Sequence, residues 1–175
     1  MTLTKEELST YLVSKFRKET MLEDVQENPA LIPELIRLSQ LDEQPLGWRA
    51  TWILRHSIDD NHRALVAVLP KIITRLPVMH ESHQREWLKA FHGQVIHDDQ
   101  LGVLFEVCAD LWMDISHHAA LRATACEWLM IIATKYEELK PEVVLLMQED
   151  YIERLTPGIK KSLQKKAHKL KFNLR

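Results

Sequence analysis

Leu31-Ile32-Pro33-Glu34-Leu35-Ile36 returns along the chain as Val68-Leu69-Pro70-Lys71-Ile72-Ile73 and as Leu139-Lys140-Pro141-Glu142-Val143-Val144. In each copy an apolar residue precedes a proline, and an apolar pair follows it one residue later. The prolines stand 37 and 71 residues apart, and the doubled interval asks for a further copy between them. Val103-Leu104-Phe105-Glu106-Val107-Cys108 supplies it, with Glu106 in the proline's place. A period of roughly 35 to 40 residues made of helix pairs marks a stacked helical repeat, because each pair buries its apolar face only against the next. The spacing predicts an all-α fold: an α-α superhelix, or solenoid, of about ten helices in one domain over residues 1–175.

Composition agrees with that reading. The chain has 175 residues, enough for one core without a disulfide or metal staple. Four glycines disfavour both a turn-rich β sandwich and a glycine-rich phosphate loop. Cys108 and Cys126 are the only cysteines, and both fall among apolar residues of predicted helices. They are expected to be inert core thiols, in a reducing compartment.

Met1-Thr2-Leu3-Thr4-Lys5-Glu6-Glu7 carries acids where a secretory signal needs a basic start and an apolar run, so no signal peptide is expected. The longest apolar runs fall far short of the roughly 20 residues that span a bilayer. The expected location is the cytoplasm, with no membrane contact.

Net charge is −2, unevenly spread. From Arg154 onward there are eight Lys or Arg and no acid, which leaves residues 1–153 with ten more acids than bases.

Helix starts and stops can be placed from side-chain chemistry. Thr4 with Glu7 is a capping box, opening a helix from about Thr4 to Phe16 with Leu8, Tyr11, Leu12 and Lys15 at helical spacing. A second helix, Lys18 to Glu27, ends at Asn28-Pro29, and Pro29 suits the first turn of a third. Leu46 to Ile58 reads as a helix, followed by one carrying Leu65, Leu69, Ile72 and Leu76. Pro70 lies inside that pattern, so either the helix kinks there or the residues before it form a short turn of their own. Further helices are predicted at Glu81 to Gly93, Asp98 to Asp114, His117 to Lys135 and Lys140 to Gln148. Thr156 and Pro157 open a terminal capping helix over about 157–170, with Ile159, Leu163, Ala167 and Leu170 in one stripe.

The run from Leu31 to Leu38, then Asp42, then Trp48-Arg49-Ala50, resembles a HEAT repeat: a helix, a turn with an aspartate, and a second helix opening on arginine and alanine. The order recurs as Val103 to Leu111, Asp114, then Leu121-Arg122-Ala123-Thr124, with Arg122 73 residues past Arg49. The middle unit keeps Arg85 but has Met79-His80 where the aspartate would fall. The resemblance covers roughly residues 29–150 and implies the HEAT/armadillo-like solenoid. The whole chain also resembles small uncharacterised bacterial HEAT-like proteins, some labelled adenylosuccinate lyase. That lyase family has a longer chain with a serine-rich signature loop, which has no counterpart here.

The resemblance implies that Arg49 and Arg122 pair with Asp42 and Asp114 to fix neighbouring repeats, leaving Arg85 as an anion-site candidate. The nine histidines, notably His80 with His83, His92 with His97, and His117-His118, lack the spacing of a zinc helix, so no metal or cofactor is expected. The acid pairs Asp59-Asp60, Asp98-Asp99 and Glu137-Glu138 read as solvated helix ends, Asp98 or Asp99 serving as a cap. No nucleophile stands in a recognisable triad, and no catalytic residue is assigned.

Trp52 and Trp128 read as packing between repeats. Trp48 and Trp112, beside charged neighbours, are expected to be partly exposed and therefore binding candidates. Lys161, Lys165 and Lys169 of the basic tail complete the candidate set. In HEAT-like proteins the second helices usually line the concave surface, and those helices are read as contributing Arg37, Lys71, Arg75, Glu106, Asp110, Glu142 and Glu149. The sign changes midway, so no continuous phosphate-tracking stripe is expected.

The leading expectation is a non-catalytic scaffold whose partner is another protein. A nucleic-acid-binding protein using the basic C-terminal helix is the first alternative. An enzyme with His92, His97, Arg85 and Glu86 converging in a deep pocket is the second.

Overall fold

Proline decides where the first helix of each repeat begins. The computed structural model describes residues 4–14 and 16–172, and in it Pro33, Pro70 and Pro141 all occupy the first turn of a helix. Proline has no N–H to donate and would clash with the carbonyl four residues back, so a helix can open on it but not run through it. The preceding residues therefore form short pieces of their own: a 3-10 turn at Pro29–Leu31, a four-residue helix at Arg63–Val66, and a 3-10 turn at Glu137–Leu139. At Pro70 this settles the open alternative in favour of a separate turn. Glu106, in the copy without proline, lies inside an unbroken 16-residue helix.

The described residues hold twelve α-helices and no strand. The chain divides into two compact units, residues 1–96 and 97–175. In the first, α1 (Lys5–Ser14), α2 (Lys18–Glu27) and α3 (Ile32–Ser39) pack on α4 (Leu46–Ser57), which also packs on α7 (Glu81–Ala90). Between them lie α5 (Arg63–Val66) and α6 (Leu69–Arg75), the latter running into a 3-10 turn at Leu76–Val78. The second unit comprises α8 (Asp98–Met113), α9 (Ala119–Lys135), α10 (Lys140–Leu146), α11 (Glu149–Ile152) and α12 (Pro157–Lys169). There α9 packs on α8, α10 and α12. Enclosed by three helices, it buries residues around most of its circumference, from Leu121 and Arg122 to Ile132 and Ala133.

Twelve helices replace the expected ten or so because α5 and α11 are single turns that periodicity cannot register. The capping box is formed: Glu7 accepts from the Thr4 N–H at 3.1 Å and the Glu7 N–H donates to the Thr4 hydroxyl at 3.3 Å. The Thr4 N–H, together with the Thr4 hydroxyl donating to the same carboxylate at 2.9 Å, holds the Glu7 carboxyl below its ordinary value. Thr156 stands at the N-cap of α12 without a side-chain cap bond. Lys15, expected at helical spacing in the first helix, Met1 to Leu3 of the expected acidic start and Arg175 of the basic tail lie outside the described residues.

The concave-face set requires a correction. Arg37, Lys71 with Arg75, Glu106 with Asp110, and Glu142 fall on α3, α6, α8 and α10, which are first helices of their pairs and not second ones.

Candidate functional site

The arginines act on backbone carbonyls. The last carbonyls of a helix have no partner within it and carry the negative end of its dipole, so a guanidinium placed there satisfies both. Arg49 donates from Nη1 to the Leu12 and Val13 carbonyls at 2.8 and 3.0 Å, closing α1. Arg75 donates to the Gln40 carbonyl at 2.9 Å, closing α3. Arg122, 1% exposed, donates from Nε to the Trp112 carbonyl and from Nη2 to the Tyr151 carbonyl, both at 2.9 Å.

The expected pairs with Asp42 and Asp114 are thus replaced. Asp42 accepts the His80 backbone N–H at 3.2 Å, and Asp114 accepts from the Ser116 N–H and hydroxyl. Arg75, which the repeat spacing did not single out, performs the same capping role. Arg85 is half-buried with its Nε unbonded. Its neighbour Glu86 is buried and held by Lys89 at 3.0 Å and Arg55 at 3.5 Å.

Histidines begin helices. His62, His80, His97 and His118 are the N-cap residues of α5, α7, α8 and α9. His80 and His118 accept a backbone N–H on Nδ1, from Ser82 and Ala120, each at 3.3 Å. An unprotonated imidazole nitrogen thereby performs the work usually given to Ser, Thr, Asp or Asn. Asp98 and Asp99, expected as caps, instead sit in the first turn of α8. Among the described residues no three His, Cys, Asp or Glu side chains group as a metal site would require.

Trp112 corrects a further expectation. It is fully buried, its Nε1–H donating to the Leu146 carbonyl at 2.6 Å and its ring 4.9 Å from the Arg122 guanidinium. A partner has no access to it. Charged neighbours in sequence misled because they occupy the other face of α8. Trp48 is half-buried, as is Trp52. Phe16 meets both edge-on at 6.1 and 6.4 Å, with Arg49 over Phe16 and Trp48 and Lys18 over Trp52. Cations already cover these rings, and the cluster fastens the α1–α2 junction to α4.

Lys161, Lys165 and Lys169 are exposed and follow one another at four-residue intervals on α12. Lys166 pairs with Glu127, while Leu163 and Ala167 bury the opposite face.

One concavity of the second unit is a groove of about 370 Å3 between α8 and the α9–α10 connection. Phe105 and Ile132, 5% and 2% exposed, line it with Gly102 and Leu139. Asp98, Glu106, Glu138 and Glu142 also border it. Lys135 pairs with Asp98, and that bond pulls the carboxyl down from its ordinary value. Glu106, Glu138 and Glu142 have no ion-pair partner among the described residues. Sequence reading noted Glu106 and Glu142 only as members of a charge sequence and missed the groove. The available signal was Gly102, a glycine inside an otherwise regular helical pattern one turn before Glu106.

No helix among the described residues is long and apolar enough to cross a membrane. No curated protein and no solved structure matches the chain. A family of helical repeats does match it over residues 4–170, nearly end to end, and carries no lyase assignment with it. A match of that extent shows the family: the chain belongs to the HEAT repeat domain family.

Proposed function

We propose that this HEAT-repeat scaffold is a non-catalytic module that binds another protein and works in the cytoplasm, where two buried free thiols stay reduced. The observation that carries the reading is a set of exposed apolar side chains in the second unit. Val103 on α8 and Val144 and Leu145 on α10 are 42%, 50% and 63% exposed. Helices that turn large apolar side chains to solvent beside a groove are suited to burial by a partner.

The test is affinity capture from the native cell with the full chain and with the double variant Val144→Asp, Leu145→Asp. One protein retained in stoichiometric amount by the first and lost by the second supports the reading. Equal retention, or a steady catalytic turnover abolished by changing one buried polar residue, refutes it.

A nucleic-acid reading rests on one specific observation, the exposed Lys161, Lys165 and Lys169 on a helix without acids. Such a stripe would bind phosphates with affinity that falls steeply with salt and weakens on Lys→Gln substitution. A duplex that binds equally well after all three substitutions removes that alternative.

A further inference from the structure

Gly102 is the residue of α8 that packing within the unit does not explain. Glycine inside a helix is destabilising relative to alanine, because it surrenders more backbone freedom on folding. The usual reason for accepting that cost is a neighbour too close to admit a Cβ. Here a Cβ built at position 102 meets nothing within 4 Å. The space belongs to the groove, whose wall Gly102 keeps open beside the buried Phe105 and Ile132.

Charge specifies what fits there. Glu138, in the 3-10 turn before α10, and Glu142, in the first turn of α10, lie four residues apart, Glu106 borders the groove from α8, and none of the three has a cation among the described residues. Lys135 is engaged with Asp98 and Lys140 with Glu137. Unpaired carboxylates beside an apolar surface complement a ligand that carries its own cations on either side of an apolar anchor.

We infer that this groove receives an amphipathic segment of a partner protein, with one large apolar side chain over Gly102 against Phe105 and Ile132 and flanking Lys or Arg at Glu106, Glu138 and Glu142. This rests on the protein-binding reading above and names the chemistry of the partner. Gly102 gives the anchor room to approach the α8 backbone. The carboxylates reject acidic segments and speed encounter with basic ones.

The experiment is selection from a random peptide display library on the full chain and on Gly102→Leu. That substitution fills the groove, and the open space at position 102 with leucine's better helix propensity leaves the fold intact. An unchanged circular dichroism spectrum and melting temperature verify the intact fold. Enrichment of peptides with a large apolar residue flanked by Lys or Arg is expected. The enriched peptide should bind Gly102→Leu about tenfold or more weakly, and lose salt sensitivity with Glu106, Glu138 and Glu142 changed to Gln. No enrichment, enrichment of acidic or neutral peptides, or binding indifferent to Gly102→Leu overturns the inference. Val144 and Leu145 lie outside the groove lining. A native partner lost with their substitution but retained by Gly102→Leu therefore overturns this groove and leaves the scaffold reading in place.

Discussion

Nε2 of His83 lies 2.9 Å from the carbonyl oxygen of Ser39, the last residue of α3, and the imidazole is wholly buried. A carbonyl can only accept, so Nε2 carries the proton. The Trp87 indole N–H donates to the same oxygen at 3.2 Å. Two side chains of α7 thus satisfy the orphan end of α3.

Burial of this ring makes stability sensitive to acid. Burial, the largest influence, lowers the His83 pKa from 6.5, with Arg75 adding to that, while Asp42 and the Ser39 carbonyl pull the other way. A histidine held below its unfolded value resists protonation in the fold, whereas the unfolded chain takes the proton as pH drops through about 6.5. Its contribution is therefore complete above that value and is lost progressively below it. Urea midpoints should fall between pH 7.5 and 5.5, and His83→Gln should flatten that slope. An identical slope in the variant would place the acid sensitivity elsewhere.

Gly47 and Gly102 predict opposite outcomes for one substitution. A Cβ on Gly47 would stand 2.1 Å from the Leu41 carbonyl oxygen and 2.7 Å from Cε1 of His83. The backbone cannot retreat without moving the turn, so Gly47→Ala should cost about 2 kcal/mol or more. Gly102→Ala meets open space in the middle of α8 and should stabilise by about 0.5–1 kcal/mol. Chemical denaturation of both variants checks the pair, and a shared sign would contradict the packing at one of them.

Local chemistry was legible in the sequence where backbone sterics act alone. Pro141 stands in the first turn of the helix expected from Lys140, and Thr4 with Glu7 forms the expected cap, whereas the helix expected to open on Pro29 begins at Ile32 with Pro33 in its first turn, and at Pro70 only the fold decides between a kink and a separate turn. What depends on three-dimensional neighbours was not legible. Arg49 and Arg122 were assigned the wrong acceptors because a carbonyl at a helix end has no sequence signature. Trp112 was placed at the surface because adjacent residues of one helix point to different faces. The groove joins α8 to a connection more than thirty residues later, and only folding reveals that Gly102, Ile132 and Glu142 share it.

Cys108 and Cys126 are fully buried, and burial pushes both thiols well above their ordinary range. A thiol reagent reacts with thiolate, so neither should be labelled in the native protein at neutral pH and both should react on unfolding. Because the two sit on the packed helices α8 and α9, they should become reactive together. Rapid native labelling of either, followed by peptide mapping, would contradict the α8–α9 core described above.

Arg122 provides the most demanding test of the carbonyl-capping scheme. Its two hydrogen bonds reach the C-terminal turn of α8 and, through Tyr151, the four-residue α11, which is too short to persist by itself. Arg122→Met preserves much of the apolar stem but leaves the Trp112 and Tyr151 carbonyls without this donor. Stranded buried acceptors cost about 1–3 kcal/mol each, so a loss of about 3 kcal/mol is expected. Arg122→Lys keeps the charge and loses the planar fork that serves two carbonyls at once, so it should recover only part of that loss. Hydrogen exchange separates this from general core disruption. Amides of α11 should open in Arg122→Met well before those of α9, whereas uniform loss of protection across the second unit would show that Arg122 supports packing alone and not the α11 attachment.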